Sequence, residues 1–270
     1  MTPPDDSAAS TRSPSPRAGN PMVRTRALVK EFNGFRAVGG DGGVDLEVGT
    51  GTLHALVGPN GAGKTTLFHM LSGFLPSTSG TIEIGGTDVT GLAPEQIARR
   101  GVARSFQITS LFDELTLLQH VELALQGKAG QGHRFWRSDK QLRVYADRAH
   151  ELLDQVGLAR WATYPARTLS YGQKRALELA LALALSPRLL LLDEPTAGMG
   201  IEDVSRTIDL IAAVREDRTV VLVEHNMKVV GSLADRVTVL QFGQILAEGP
   251  YEQVRTDPRV VSAYLGESVA

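Results

Sequence analysis

The residues best equipped for chemistry lie at 58–66, where Gly58, Pro59, Asn60, Gly61, Ala62, Gly63, Lys64, Thr65 and Thr66 fit the spacing G-x-x-x-x-G-K-[ST]. Glycines at these positions let consecutive backbone N–H groups turn inward as an anion nest, and a helix beginning near Lys64 aims its positive dipole end at the same point. Lys64 then reaches the β- and γ-phosphates of a nucleotide as a mobile point charge, and the Thr65 hydroxyl is placed to ligate Mg²⁺. A chance match in a chain of this length arises on the order of once in a hundred sequences. A second set is Asp193 and Glu194, adjacent carboxylates that close the apolar run Leu189–Leu192. One acid can hold a hydrated Mg²⁺ while the other polarises a water aligned behind a γ-phosphate.

Such groups need elements to hold them. Leu53–Val57 reads as a strand leading into the glycine-rich turn, and a helix follows from Lys64 to about Leu71. Leu189–Leu192 reads as a buried strand that delivers its acids to the C-terminal edge of a sheet, where open α/β sheets bind ligands. Ala27–Val29, Val44–Val48, Thr81–Ile84, Thr219–Val223, Val237–Leu240 and Ile245–Glu248 read as further strands, with helical patterns between several of them. The layout is α/β with a central sheet. Leu111–Leu125 and Lys140–Val156 have helical spacing with no strand between them, so residues 106–168 are expected to form an inserted helical subdomain. Its loop residues His133–Arg137 read as a hinge whose aromatics pack on the neighbouring helices. Leu169, Ser170, Tyr171, Gly172 and Gln173 open a helix that is apolar nearly all round from Ala176 to Leu185, so its body should be buried and its N-terminus should present Ser170 and Gly172.

Composition bounds the possibilities. The chain has 270 residues, with 28 Lys and Arg against 30 Asp and Glu (28 − 30 = −2), 42% hydrophobic residues and no cysteine. That balance lacks the electrostatic footprint of a general nucleic-acid binder, and thiolate metal sites, disulfide frameworks and cysteine nucleophiles are excluded. Leu177–Leu192 is the most apolar stretch, but Glu178, Ser186, Pro187 and Arg188 interrupt it well short of the roughly 18 to 20 apolar residues of a membrane span. Residues 1–22 are rich in Pro, Ser, Thr and Ala, have no secretory apolar run, and are expected to be a disordered tail. Asp5 and Asp6 argue against a mitochondrial presequence.

The glycine-rich loop, the LSYGQ segment and LLLLDEP, in that order, resemble the ATP-binding subunit of ABC transporters over essentially residues 23–270. The resemblance implies a P-loop NTPase core of ABC ATPase type, with an antiparallel β part and the inserted helical subdomain. It implies ATP and Mg²⁺ as cofactors, Glu194 as catalytic base, and Thr65, Gln107 and Asp193 at the metal. Gln107 resembles the glutamine that senses Mg²⁺ and the attacking water, and His225 looks like the switch histidine at the γ-phosphate. Phe32 falls where the family stacks an aromatic on adenine, with Phe35 as a competitor for that role. Ser170, Gly172 and Gln173 resemble the signature motif, which closes over ATP held by another subunit. One departure stands out: Gly200 replaces the usual D-loop aspartate, with Glu202 and Asp203 close by as substitutes.

The family arrangement is two subunits head to tail, so the resemblance implies a second ATPase subunit, identical or paralogous. It also implies integral membrane permease subunits, an indirect link to a solute-binding protein, and a peripheral position on the cytoplasmic face of the membrane. Gly73–Leu75, Ile97–Gln107 and Asp257–Glu267 are similar to the ATPase subunits of branched-chain amino acid importers and their urea and amide relatives. The alternative is a soluble ABC ATPase not coupled to transport, such as one serving iron–sulfur assembly.

Overall fold

A computed structural model of the chain describes residues 20–105, 111–128 and 139–265. The strands are β1 (Val23–Phe32), β2 (Phe35–Val38), β3 (Glu47–Val48), β4 (Leu53–Val57), β5 (Ser79–Ile84), β6 (Thr87–Asp88), β7 (Val102–Arg104), β8 (Leu189–Asp193), β9 (Thr219–Val223), β10 (Arg236–Gln241) and β11 (Gln244–Gly249). The helices are α1 (Lys64–Leu71), α2 (Pro94–Ala98), α3 (Leu117–Lys128), α4 (Asp139–Gln155), α5 (Tyr171–Ala184), α6 (Ile201–Val214), α7 (Met227–Leu233), α8 (Tyr251–Val254) and α9 (Pro258–Leu265).

Two sheets organise these elements. One runs β11-β10-β4-β9-β8-β7 and is parallel except at β10–β11; the other is antiparallel, ordered β2-β1-β5-β6 with β3 beside β1. Strands β4, β8 and β9 are buried at every residue, as expected when both faces of a parallel sheet are covered. Alternation along them splits the interior. Leu190, Leu192, Val220 and Leu222 join a core with α3, α4, α5 and α6, whereas Leu189, Leu191, Val221 and Val223 join α1 and the antiparallel sheet. Val237 and Val239 of β10 pack with Ala55, Val57, Val230, Val254 and Val260 in a third cluster.

Several expectations shift at element ends. Helix α3 begins at Leu117 rather than Leu111, because Thr116 and Gln119 exchange reciprocal bonds, Thr116 N–H to Gln119 Oε1 at 2.9 Å and Gln119 N–H to Thr116 Oγ1 at 3.2 Å. His120 holds the preceding loop, its Nε2 accepting from the Phe112 N–H and its Nδ1 bonded to Thr116 O. Of the expected strand Val44–Val48 only Glu47–Val48 is strand, with Val44 in an isolated bridge to Leu28. Strand β1 is longer than expected and bulges at Ala27, whose φ of 45° accompanies an N–H bond to Asp45. Met22, at the end of the stretch read as a tail, is buried and its N–H donates to Val48 O. The loop His133–Arg137 lies outside the described residues. Among the described residues no helix is long and apolar enough to cross a membrane.

Candidate nucleotide and hydrolysis site

Strand order places the chemistry. β4, β9 and β8 are consecutive neighbours, and from their C-terminal ends emerge the 58–66 loop, His225, and the pair Asp193 and Glu194 respectively. Three segments far apart in sequence thus share one sheet edge.

The loop's glycines have conformational work to do. Gly58 has φ 145°, and a Cβ there would meet Leu240 O at 2.1 Å; Gly63 has φ 97°, and its Cβ would meet Ala37 O at 2.6 Å. Both conditions require glycine. Gly63 is the N-cap of α1, so the first N–H groups of an eight-residue helix face the loop. Lys64 is buried, and its Nζ donates to Gly58 O at 2.7 Å and Pro59 O at 2.8 Å, which keeps the ammonium at the loop. Thr65 is exposed and Thr66 half-buried, while Asn60 and Gly61 lie on the exposed side and Ala62 is buried.

Asp193, only 2% exposed, ends β8. Its Oδ2 pairs with Arg104 at 3.2 Å, and its Oδ1 is buried with no hydrogen-bond partner among the described residues. Burial pushes its carboxyl upward, opposed by the adjacent guanidinium. Arg104 extends from β7 across Phe68 and Phe74, 4.8 and 5.1 Å from their ring centroids, and contacts His69 Nε2 at 2.9 Å. Burial holds the Arg104 guanidinium and the His69 imidazole below their ordinary values, the latter also through Arg104's charge. Glu194 adopts φ 44°, a left-handed conformation uncommon for a side-chain-bearing residue, while its N–H donates to Val223 O at 2.9 Å.

His225 is exposed beside this edge. Glu224 before it is wholly buried, its oxygens accepting from the backbone of Thr196, His225 and Asn226 and from the Thr196 hydroxyl. Sequence reading passed over Glu224 and Arg104 as mere neighbours of motif residues. The available signal was symmetry: β8 is an apolar run closed by Asp193, and β9 is an apolar run followed directly by Glu224.

Other expected residues lie elsewhere. Ser170 is the N-cap of α5, its Oγ accepting from Gln173 N–H at 3.3 Å while Gln173 Oε1 accepts from Ser170 N–H at 2.9 Å. Gln173 thus serves the cap. Gly172 sits under the first turn of α6: a Cβ on it would come 3.1 Å from Asp203 Cγ, so Asp203 touches the Ser170 turn of its own subunit. Gly200 is the N-cap of α6 with no side-chain bond. Phe32 and Phe35 face each other across the β1–β2 hairpin, 43% and 70% exposed, with Lys30 Nζ 5.1 Å over the Phe32 ring. Gln107 lies outside the described residues.

The ABC transporter family profile matches residues 42–197, and a profile described as branched-chain amino acid ATP-binding cassette transporter matches residues 244–270. The chain is 41% identical over 258 residues to the high-affinity branched-chain amino acid transport ATP-binding protein BraF of Pseudomonas aeruginosa, covering 92% of this chain and 99% of that one. It is 38% identical over 255 residues to the corresponding protein LivG of Escherichia coli, with the same coverage. Among solved structures it is similar to an ATP-binding cassette of an ABC transporter in its ADP conformation, with a TM-score of 0.79, 27% identity, and 92% of this chain and 100% of that chain covered. A dimeric cassette in a post-hydrolysis state bound to ADP and Pi is also similar, at a TM-score of 0.70 and 25% identity, over 85% of this chain and 99% of that one.

Proposed function

The chain belongs to the ABC transporter family as an ATP-hydrolysing subunit, and from that premise we propose that it powers import of branched-chain amino acids or related small polar solutes through separate membrane permeases. The observation that carries the chemical part is the shared edge of β4, β9 and β8, which sets a phosphate-binding loop beside two acids and a histidine. The importer class rests on the match at 244–270 and on the names of BraF and LivG, which disfavour a cassette uncoupled from transport.

In this reading the N–H groups of 58–66 and the α1 N-terminus bind the nucleotide phosphates, and Lys64 swings its ammonium from the loop carbonyls to them. Glu194 accepts a proton from the attacking water, and His225 donates to the γ-phosphate oxygens. Phe32 offers its face to adenine. Asp193 and Thr65, with Gln107, suit Mg²⁺, the donor set being hard oxygens and Asp193 Oδ1 having no partner among the described residues. Bound there, the ion would neutralise charge on the β- and γ-phosphates. Ser170 and Gly172 would close on the nucleotide of a second subunit placed head to tail, adding the α5 dipole to the transition-state field. Residues 23–270 then form one ATPase domain, and residues 106–168 its helical subdomain. The complex sits on the cytoplasmic face of the membrane, with a solute-binding protein acting on the permeases.

Co-expression with the permeases and solute-binding protein encoded beside it tests the assignment. The subunit should then fractionate with membranes, and leucine-loaded binding protein should raise its ATPase rate in proteoliposomes. Fractionation and rate indifferent to those partners would contradict it.

A further inference from the structure

Two acids close neighbouring strands, and they are used differently. Asp193 keeps a buried oxygen without a partner among the described residues, as suits a group that meets a ligand. Glu224 has 0% exposure, and both of its oxygens are filled. Oε1 accepts from the Thr196 N–H at 3.2 Å and from the Thr196 hydroxyl at 2.5 Å; Oε2 accepts from the N–H groups of His225 at 3.0 Å and Asn226 at 3.2 Å. Among the described residues these donors, and no cation, compensate its burial. A carboxylate removed from water is costly unless its lone pairs are met, so the four donors are tightly specified in position.

The donors belong to two different turns. Thr196 lies two residues after Glu194, and His225 and Asn226 open the turn into α7. Asp193 and Val223 are register partners, and Glu194 N–H bonds Val223 O, so both turns leave the sheet side by side. We propose that Glu224 is a positioning residue for hydrolysis, a carboxylate clamp that fixes the His225 turn against the Glu194–Thr196 turn. The inference rests on the roles given to Glu194 and His225 above. Glu224 itself, with every oxygen occupied, touches neither nucleotide nor metal. Its amide counterpart cannot serve all four donors: whichever way a glutamine is turned, its NH₂ group opposes a backbone N–H of one turn.

The test is a double-mutant cycle in the full chain with E224Q, H225A and the two combined, reading affinity for a fluorescent ATP analogue, kcat and KM, with thermal unfolding as the check on folding. E224Q should bind the analogue within about twofold of wild type and lose about a hundredfold in kcat, the scale of a misplaced catalytic group. On the H225A background the same change should cost less than about threefold, because the clamp acts through a residue already removed. Wild-type kcat in E224Q, or an equal loss on both backgrounds, would overturn the proposal. Should E224Q not fold, E224D takes its place: it keeps the charge but is one methylene too short to reach both turns, so kcat falls with binding retained, and wild-type kcat overturns the clamp. H225A at the wild-type rate would instead remove His225 from hydrolysis, a failure of the underlying reading visible without any Glu224 variant.

Discussion

At the scale of residues, the sheet edge proposed for hydrolysis is held by charges placed where water does not reach. The side chains of Arg104 and Asp193 are 10% and 1% exposed, and each compensates the burial of the other. Removing one partner of such a pair leaves an uncompensated charge, which costs more than the pair itself contributes. Arg104→Met should therefore lower the unfolding free energy by about 3 kcal/mol in chemical denaturation. A change within about 0.5 kcal/mol, the range of an ordinary surface substitution, would show that Asp193 finds another compensation. In the proposed reading the same pair bears on nucleotide chemistry, since Oδ2 is committed to Arg104 and Oδ1 has no partner among the described residues. The loop, Asp193, Glu194 and His225 stand out in the sequence because their types and order make a recognisable set, and the fold brings them to one sheet edge. Arg104 and Glu224 are harder to read from sequence: Glu224 shows only as an acid directly after an apolar run, and the burial and partners of both, 89 and 28 positions away, come from the fold.

At the scale of elements, β4 both carries the phosphate loop and buries a titratable group. His54 is 0% exposed, and its Nε2 lies 2.7 Å from Thr238 Oγ1. Thr238 donates its hydroxyl hydrogen to Glu248 at 3.0 Å, so Nε2 is the protonated nitrogen, and Nδ1 is buried without a partner among the described residues. Burial, opposed by the Glu248 charge, lowers the imidazole from 6.5 to about 4. The unfolded chain takes up this proton near 6.5 and the folded chain only near 4, so the stability from neutral burial is complete above 6.5 and is lost as the pH falls through that window. The loss amounts to about 3 kcal/mol, and denaturation curves of wild type and His54→Gln should diverge over the same range. Parallel curves would remove His54 as the cause. The long apolar strands β4, β8 and β9 were legible because burial on both faces writes a continuous apolar run. Strands β2, β6 and β7, of four, two and three residues, were not, because edge pairings that short set up no period. The start of α3 depended on a side-chain exchange at Thr116 that competes with helical spacing further upstream.

At the scale of the whole molecule, one chain supplies a single glycine-rich loop, after β4, and a single Ser170 turn, at the N-terminus of α5. A net charge of −2 provides no global basic field, so in the proposed reading ATP is attracted by the local nest of N–H groups and Lys64. The proposed completion of the site by a second subunit is tested by the rate of ATP hydrolysis by Glu194→Gln beside wild type at saturating Mg·ATP, with oligomeric state followed in the same samples. A fall of about a hundredfold or more with ATP affinity retained is expected, so that the variant accumulates as an ATP-bound dimer. A rate equal to wild type would contradict it.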